Sequence, residues 1–197
     1  DSEPSWHPSS SKLLFVSDRG TKIDRAPTTA VDMIDHNFEQ NNIYSIDINT
    51  KVVEKITNSS SNKNYPVYAN TENVIFYTSD YNGTWNIFKH DLDSGNAYPV
   101  TNFITGLKGL SLTNDDAMMI FSGYSGWGWD VYSLNNPLQM KEQTIEPTIY
   151  IKNIKSDLKE DIVDLREDKY RGVESNTTDY SDYIFAWEYQ YLNDQKS

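Results

Sequence analysis

The sequence predicts an all-β repeat fold, on three observations: a pattern that recurs three times, strand-like alternation inside each copy, and an aromatic-rich composition. Copies two and three recur after about 43–44 residues, the period of a four-stranded propeller blade. Within each copy, an apolar–x–apolar–x–Ser alternation has the period of two that is typical of a strand. It falls on Leu13, Phe15 and Ser17, on Ile75, Tyr77 and Ser79, and on Met118, Ile120 and Ser122. The sequence therefore predicts about three four-stranded β-propeller blades, in residues 1–58, 65–102 and 106–137.

Composition supports β structure and narrows the class of partner. Aromatic residues make up 13% of the 197 residues, which suits half-buried pleated surfaces. The net charge of −12 argues against nucleic acid, whose phosphates need Lys and Arg, and against an anionic membrane surface. The chain has no Cys, so disulfides and thiolate chemistry are excluded. No apolar run approaches the length of a transmembrane helix. The expected partners are therefore proteins.

The remaining strands follow in order from the same pattern. The third strand begins at Asn42 in the first copy and at Asn86 in the second, and the final strands end at Thr57 and Thr101. The first copy also contains an insertion, residues 20–41, between its second and third strands. Part of this insertion, up to Phe38, has the pattern of a short helix. A long insertion of this kind is either functional or a tolerated surface loop.

The repeat stops after Pro137. The sequence predicts an acidic connector at residues 138–182. Within it, residues 151–170 form either an amphipathic helix or an extended segment. Residues 183–192 predict a strand with one wholly aromatic face, from Tyr183 to Tyr191. That strand has three interpretations: an edge strand of the propeller, a contact strand for another protein, or the first strand of an outer-membrane barrel.

Three blades are too few to close a propeller, which typically has 4–8. An open segment exposes an apolar inter-blade face at each end, a larger patch than soluble monomers tolerate. We therefore expect these blades to be part of a larger propeller, completed by preceding sequence or by another chain.

The order of motifs resembles the TolB-like, WD40-like (PD40) β-propeller repeat over residues 1–137. The best copy, Pro66 to Asn102, has Pro and an aromatic residue, Ile-x-Tyr-x-Ser-Asp, Asn-Ile-Phe, Asp-Leu and a final Val-Thr. The turn after the first aromatic position departs from the family's Ser-Pro-Asp-Gly. The resemblance implies structural roles for two sets of residues. Hydrogen bonds in the tight turn are assigned to Ser17, Asp18, Ser79 and Asp80, and packing between blades to Tyr44, Phe88 and Tyr132.

No segment of the sequence predicts catalysis, a metal site or a cofactor. Gly123 to Trp127 approaches the Gly-x-Ser-x-Gly nucleophile elbow, but Trp127 replaces the last Gly and the segment falls in a predicted hairpin. Asp32 and His36 have ligand-like spacing if the insertion is helical, but a solvated helix face is the favoured interpretation.

The favoured function is a non-catalytic, exported scaffold that binds protein in a bacterial cell-envelope assembly, in the periplasm or cell envelope. Aromatic residues dominate interface hot spots, so the candidate anchors lie on the rim formed by the second turn of each blade. These anchors are Tyr81, Trp85, Trp127, Trp129 and, in the insertion, Phe38. Two alternatives stay open: the gating propeller of a prolyl-oligopeptidase-like serine peptidase, and the periplasmic portion of an outer-membrane barrel protein.

Overall fold

Eleven strands in three antiparallel sheets make up the computed structural model, which describes residues 1–20 and 40–153. The first sheet contains, in spatial order, β1 (Ser2–Trp6), β2 (Lys12–Ser17), β3 (Asn42–Asp47) and β4 (Val53–Lys55). The second contains β5 (Lys63–Tyr68), β6 (Val74–Ser79), β7 (Asn86–Asp91) and β8 (Ala97–Pro99). The third contains β9 (Leu107–Leu112), β10 (Met118–Ser125) and β11 (Gly128–Asn135). Most of the predicted insertion and the aromatic strand 183–192 lie outside the described residues.

The first strands of the three sheets lie side by side, with β5 contacting both β1 and β9. Each of these strands is bulged at a residue with left-handed backbone: Glu3, Tyr65 and Gly109, with φ of 53°, 54° and 68°. A bulge adds local twist. The Glu3 carboxylate accepts a hydrogen bond from the Tyr65 backbone N–H and so joins the first two bulges. Sheets that meet along their first strands in this way are arranged as propeller blades.

Consecutive blades pack face to face through two apolar clusters. Between the first and second blades, Leu14 and Ile43 lie against the second blade's Tyr68, Ile75, Tyr77 and Phe88. Between the second and third blades, Val74, Phe76 and Ile87 lie against the third blade's Leu107, Leu110, Met119 and Phe121. We call the face of a blade that packs on the following blade its leading face, and the face that packs on the preceding blade its trailing face. In each of the two contacts, the leading face of one blade meets the trailing face of the next.

A stacked aromatic pair marks the trailing face of every blade. The pairs are Phe15–Tyr44, Tyr77–Phe88 and Phe121–Tyr132, with ring centroids 5.7, 5.7 and 5.9 Å apart. The two residues of each pair lie directly opposite each other, one on the second strand and one on the third strand of the blade.

The alternation predicted in the third copy is therefore one residue out of register. Phe121, not Ile120, is the equivalent of Tyr77, because both pair with the aromatic residue of the next strand. A shift of one residue moves a side chain to the opposite face of a sheet. Met118, Ile120 and Ser122 consequently lie on the leading face of the third blade, away from the second.

The third blade has three strands where the sequence predicts four. After β11 the chain turns at Asn136, whose φ is 50°, into the short 3-10 helix Pro137–Gln139. The following segment returns to the second blade. Its residues therefore do not pair with β11, and the third sheet has three strands within the described residues.

Residues 137–151, which we call the strap, cross the outer edge of the second blade. Leu138 packs on the cluster between the second and third blades, whereas Ile145 packs on the cluster between the first and second. The Gln143 N–H donates to the carbonyl of Pro99 in β8 at 2.8 Å. The start of the predicted acidic connector is thus a packed part of the blades. Residues 149–153 are helical, and the rest of the helix predicted at 151–170 lies outside the described residues.

The same pair of side chains closes the first two blades. In the first blade, the Thr57 hydroxyl donates to Asn42 Oδ1 at 3.3 Å and accepts from the Ile43 N–H at 2.9 Å. In the second, Thr101 makes the same two bonds to Asn86 and Ile87, at 3.1 and 2.9 Å. These Asn–Thr latches attach the end of the fourth strand to the start of the third.

Replacing His90 by Phe is expected to remove a loss of stability at acid pH. His90 is buried in β7, and its Nδ1 has no hydrogen-bond partner in the described part of the chain. Burial lowers the pKa of His90, and the nearby charge of Asp91 opposes that shift only in part. The contribution of the neutral imidazole is complete above the unfolded-state pKa of about 6.5 and is lost as the pH falls through the lower folded-state value.

Urea unfolding at pH 7 and pH 5 measures this effect. The variant is expected to stay within about 1 kcal/mol of the wild type at pH 7, since an orphaned polar atom is exchanged for an apolar ring of similar shape. It should then lose less stability than the wild type between the two pH values. Equal losses in the two proteins would rule out His90 as the source.

Candidate interaction surface

The leading face of the third blade is open, although the same face is covered in the other two blades. Equivalent positions in the second and third blades are 44 residues apart. Ile43 and Ile87 are 0% exposed, whereas Val131, at the same position of the third blade, is 75% exposed. Phe76 is 0% exposed and its equivalent, Ile120, is 40% exposed. The third blade thus exposes to solvent side chains whose equivalents in the first and second blades pack against the following blade.

Two aromatic residues extend this open face toward the rim. Tyr124 and Trp129 pair across β10 and β11, and their rings meet edge to face at a centroid distance of 5.5 Å. The ammonium of Lys108, from β9, lies 3.8 Å from the centroid of the Trp129 ring. A cation over an aromatic face at this distance is attractive. We define the open face as Lys108, Ile120, Tyr124, Trp129 and Val131.

Trp85 shows what Trp129 would do if a further blade were present. It is the equivalent of Trp129 in the second blade, and it is half-buried. A Cβ added to Gly106 of the third blade would lie 3.6 Å from the Trp85 Cβ, so Trp85 packs on the neighbouring blade. Trp85 therefore makes a contact between blades. Trp129 occupies the equivalent position of the third blade, where no following blade contacts it within the described residues.

Trp127 stands at the tip of the β10–β11 hairpin and is 94% exposed. Gly126 and Trp127 form the two-residue loop, with φ of 55° and 76°. Positive φ at both positions belongs to a type I′ turn, whose twist suits a hairpin. A bulky residue in left-handed conformation costs about 1–2 kcal/mol. Retained strain of this kind at an exposed aromatic residue favours a role in binding.

The other predicted anchors are placed differently. Tyr81 is exposed, and its ring meets Phe88 edge to face at 6.2 Å, which puts it on the trailing side of the second blade. The strap lies beside it, since the Thr148 N–H donates to the carbonyl of Asn82 at 2.8 Å. Phe38 lies outside the described residues. The structure therefore brings together Trp127 and Trp129, but not all five anchors.

The residues assigned to the turns make several different contacts. Ser17 Oγ accepts bonds from the backbone N–H and the Nε of Arg19, at 3.2 and 3.1 Å. Asp18 follows Ser17 directly, beyond the end of β2. Ser79 Oγ lies 3.0 Å from Ser61 Oγ.

The Asp80 carboxylate accepts from the backbone N–H and Nδ2 of Asn62, at 2.7 and 3.1 Å. Asp80 thus fixes the segment before β5, while its backbone carbonyl closes the turn with the Gly83 N–H at 2.8 Å.

The trailing face of the first blade is not open. Phe15, Tyr44 and Val53 are buried, and the Arg19 guanidinium lies 4.7 Å from the Phe15 ring centroid and 5.5 Å from that of Tyr44. Asp1 forms an ion pair with Arg19 at 2.6 Å. The expectation of an exposed apolar face at both ends is therefore wrong for the first blade and holds for the third.

The segment that resembles a nucleophile elbow is a hairpin. Ser125 ends β10 and pairs with Gly128, so no helix follows it as an elbow requires. Within residues 1–20 and 40–153, no three acidic, His or Cys side chains are grouped closely enough to hold a metal ion. Asp32 and His36 lie outside these ranges. No helix in the described part of the chain is long and apolar enough to cross a membrane.

Sequence reasoning missed four members of the open face: Lys108, Ile120, Tyr124 and Val131. The residue that could have predicted the correct register of the third copy is Tyr132, which the repeat aligns with Phe88. Counting back from Tyr132 through the tight loop at Gly126 pairs it with Phe121, and that register places Ile120 and Val131 together.

The fold is similar to that of TolB in solved structures. TolB from Acinetobacter baumannii matches with a TM-score of 0.54 and 20% identity, covering 74% of this chain and 32% of that one. A putative TolB from Agrobacterium tumefaciens matches with a TM-score of 0.53 and 15% identity, covering 66% of this chain and 44% of that one. The chain thus spans less than half the length of either structure. No protein-family model and no curated protein matches it. The prediction of an all-β, TolB-like propeller segment is confirmed at the level of fold.

Proposed function

We propose that this chain is a non-catalytic scaffold that binds a protein surface through the open face of the third blade. The observation that carries the proposal is the contrast at equivalent positions. Ile43 and Ile87 are wholly buried against a following blade, whereas Val131 is exposed. The surface that fits best is a β-sheet that presents an aromatic pair, since both existing inter-blade contacts have that form. Such a sheet belongs either to further blades of the same propeller or to a partner protein.

The chemistry of the open face suits protein rather than a charged polymer. Trp and Tyr supply much of the energy of protein interfaces because they bury large areas at low entropic cost. The proposed anchors are Trp129, on the open face, and Trp127, at the tip of the hairpin that borders it, with Tyr124 and Val131 beside Trp129. Lys108 is held against the Trp129 ring, so the cation adds polarity at the edge of an otherwise apolar patch.

The proposed compartment is the periplasm or cell envelope of a bacterium. The resemblance to the TolB-like repeat supports it, because that repeat occurs in exported bacterial proteins. The lack of Cys is compatible with export. Assembly with other envelope proteins follows as part of the proposal.

Replacing Trp127 and Trp129 together by Ala is expected to remove partner binding without unfolding the chain. Both side chains are largely exposed, so the substitutions remove contact area but little core packing. The measurement is quantitative mass spectrometry of cross-linked proteins that co-purify from the envelope fraction. At least one partner should fall by about tenfold or more, the effect of losing two interface hot spots.

The matched control is Trp6→Ala, which removes an exposed Trp from the first blade. This control should retain the same partner at the wild-type level, and all three proteins should share one urea midpoint. Identical partner lists for the wild type and the double variant would refute the proposed site.

A further inference from the structure

The outer edge of the third blade is an unpaired strand. β11 runs for 8 residues, and in the described part of the chain no strand lies on its outer side. The same edge carries β4 in the first blade and β8 in the second. An exposed strand edge presents free N–H and C=O groups that can pair with another chain. β11 also contains neither Pro nor Lys, the residues that commonly block such pairing.

The backbone of Val131 is positioned to receive a fourth strand. Val131 pairs with Ser122, just as Ile43 pairs with Val16 and Ile87 with Thr78. At both equivalents the backbone points outward. The Ile87 N–H donates to the Thr101 hydroxyl at 2.9 Å, and the Ile87 carbonyl accepts from the Val100 N–H at 2.8 Å. Ile43 makes the same two bonds to Thr57 and Ile56, both at 2.9 Å. The N–H and carbonyl of Val131 therefore face the unpaired edge.

Asp130 stands at the position of the latch asparagines. Asn42 and Asn86 are buried, and each accepts a bond from the hydroxyl of a Thr that follows the fourth strand. Asp130 is exposed, and its carboxylate forms no hydrogen bond within the described residues. A carboxylate keeps the acceptor oxygen that the latch needs, and its charge strengthens a bond from a hydroxyl.

The change from Asn to Asp also fits the surroundings of this position. The Asn86 Nδ2 donates to Asn82 Oδ1 at 3.3 Å and to Thr84 Oγ1 at 3.1 Å. The equivalents of Asn82 and Thr84 in the third blade are Gly126 and Gly128, which have no side-chain acceptor. The two side-chain acceptors for an amide donor are therefore absent here, whereas the acceptor role remains.

We propose that β11 pairs with an antiparallel fourth strand supplied by another polypeptide, in which an apolar residue is followed by Thr. The Thr hydroxyl donates to the Asp130 carboxylate and accepts from the Val131 N–H, as in the two existing latches. A second copy of β11 is disfavoured as the occupant because β11 contains no Thr. The edge lies to the side of the open face, so this inference does not require the proposed partner to be correct.

A labelled peptide with the sequence of residues 52–58, which contains Ile56 and Thr57, serves as the probe. Binding to the full chain is followed by fluorescence anisotropy. The same peptide with Thr57→Val is expected to bind about tenfold more weakly, because it cannot bond the carboxylate. Equal affinities for the two peptides, or no binding of either, would overturn the proposal.

Three protein variants locate the binding. Asp130→Ala should weaken the peptide about tenfold, while Asp130→Asn, which keeps the acceptor, should stay within about twofold. Val131→Pro removes the outward N–H and is tolerated at an edge, so it should abolish binding without loss of fold. The Trp127→Ala, Trp129→Ala protein should bind the peptide normally, which separates this test from that of the open face. An unaffected Val131→Pro variant would contradict the assignment.

Hydrogen exchange at Val131 tests the source of the strand. In the full chain alone, its amide should exchange promptly, and the peptide should slow that exchange. Protection in a dilute monomer would mean that the edge is already filled from within the chain. Protection that appears only with dimer formation would assign the edge to a second copy. Either result overturns the proposal.

Discussion

Replacing Asp116 by Ala is expected to lower the free energy of unfolding by about 3 kcal/mol. The buried Asp116 carboxylate accepts from the Asn70 N–H at 2.8 Å and from Asn70 Nδ2 at 2.9 Å. It also accepts from the Thr71 N–H at 2.8 Å and from the Thr71 hydroxyl at 2.7 Å. These bonds tie the β5–β6 turn of the second blade to the β9–β10 turn of the third. Truncation removes all of these bonds, and of the donors only Asn70 Nδ2 keeps a partner, the Thr113 carbonyl at 3.1 Å.

Backbone conformation must be separated from hydrogen bonding in this experiment. Asp116 has a φ of 55°, which Ala tolerates less well than Asp or Gly. Asp116→Gly relieves that strain but still lacks the carboxylate, so its loss should remain within about 1 kcal/mol of that of the Ala variant. The matched control is Asp115→Ala, which removes an exposed carboxylate from the same turn and should cost about 1 kcal/mol or less. If Asp116→Gly is as stable as the wild type in urea, the hydrogen bonds contribute nothing.

The contribution of Asp116 also has a predictable pH dependence. Burial raises the pKa of Asp116, but the bonds from Asn70 and Thr71 outweigh burial and leave the pKa below its ordinary value. The stabilisation is therefore complete above the unfolded-state pKa of about 4 and is lost as the pH falls through the lower folded-state pKa. The stability difference between wild type and Asp116→Asn should be constant at neutral pH and shrink below pH 4. A constant difference down to pH 2 would contradict this assignment.

The sequence predicts the blades because the repeat and the alternation both report local structure. The alternation that contains Leu13 and Ile75 falls in β2 and β6, where the sequence predicts strands. The third copy misleads because its hairpin is tighter and apolar residues occupy both faces of β10. Met119 and Ile120 are equally good candidates for the core on hydropathy alone. Cross-strand pairing with Tyr132 decides between them, and pairing is not a local property.

The exposure of the open face depends on whether another blade packs against it as well as on its own side chains. Val131 has the same pattern as Ile87 in sequence, but it is exposed because no following blade covers it within the described residues. The composition likewise does not predict that the strap packs on the second blade, because its attachment depends on backbone hydrogen bonds such as that between Gln143 and Pro99. Asp116 lies in a turn that departs from the family's Ser-Pro-Asp-Gly pattern. Its carboxylate instead replaces that pattern with a contact between blades.

Replacing Asn86 by Ala is expected to cost about 3 kcal/mol. Asn86 is 0% exposed, and its Oδ1 accepts from the Thr101 hydroxyl at 3.1 Å and from the Phe103 N–H at 2.6 Å. Its Nδ2 donates to Thr84 Oγ1 at 3.1 Å. One side chain therefore joins the β6–β7 turn, the end of the fourth strand and the start of the link to the third blade. Its removal leaves several buried groups without partners at once, which costs more than the loss of a single hydrogen bond.

A double-mutant cycle with Thr101→Val tests whether Asn86 acts through the latch. Thr101→Val keeps the shape of the side chain but removes the hydroxyl, and is expected to cost about 1–2 kcal/mol. Because the two residues share a bond, the double variant should be more stable than the sum of the single losses predicts, by at least about 0.5 kcal/mol. Urea unfolding followed by Trp fluorescence measures all four proteins. Strict additivity would show that Asn86 stabilises the blade through the turn and the link alone. The equivalent cycle in the first blade, Asn42→Ala with Thr57→Val, should show the same sign, since its latch has the same two hydroxyl bonds.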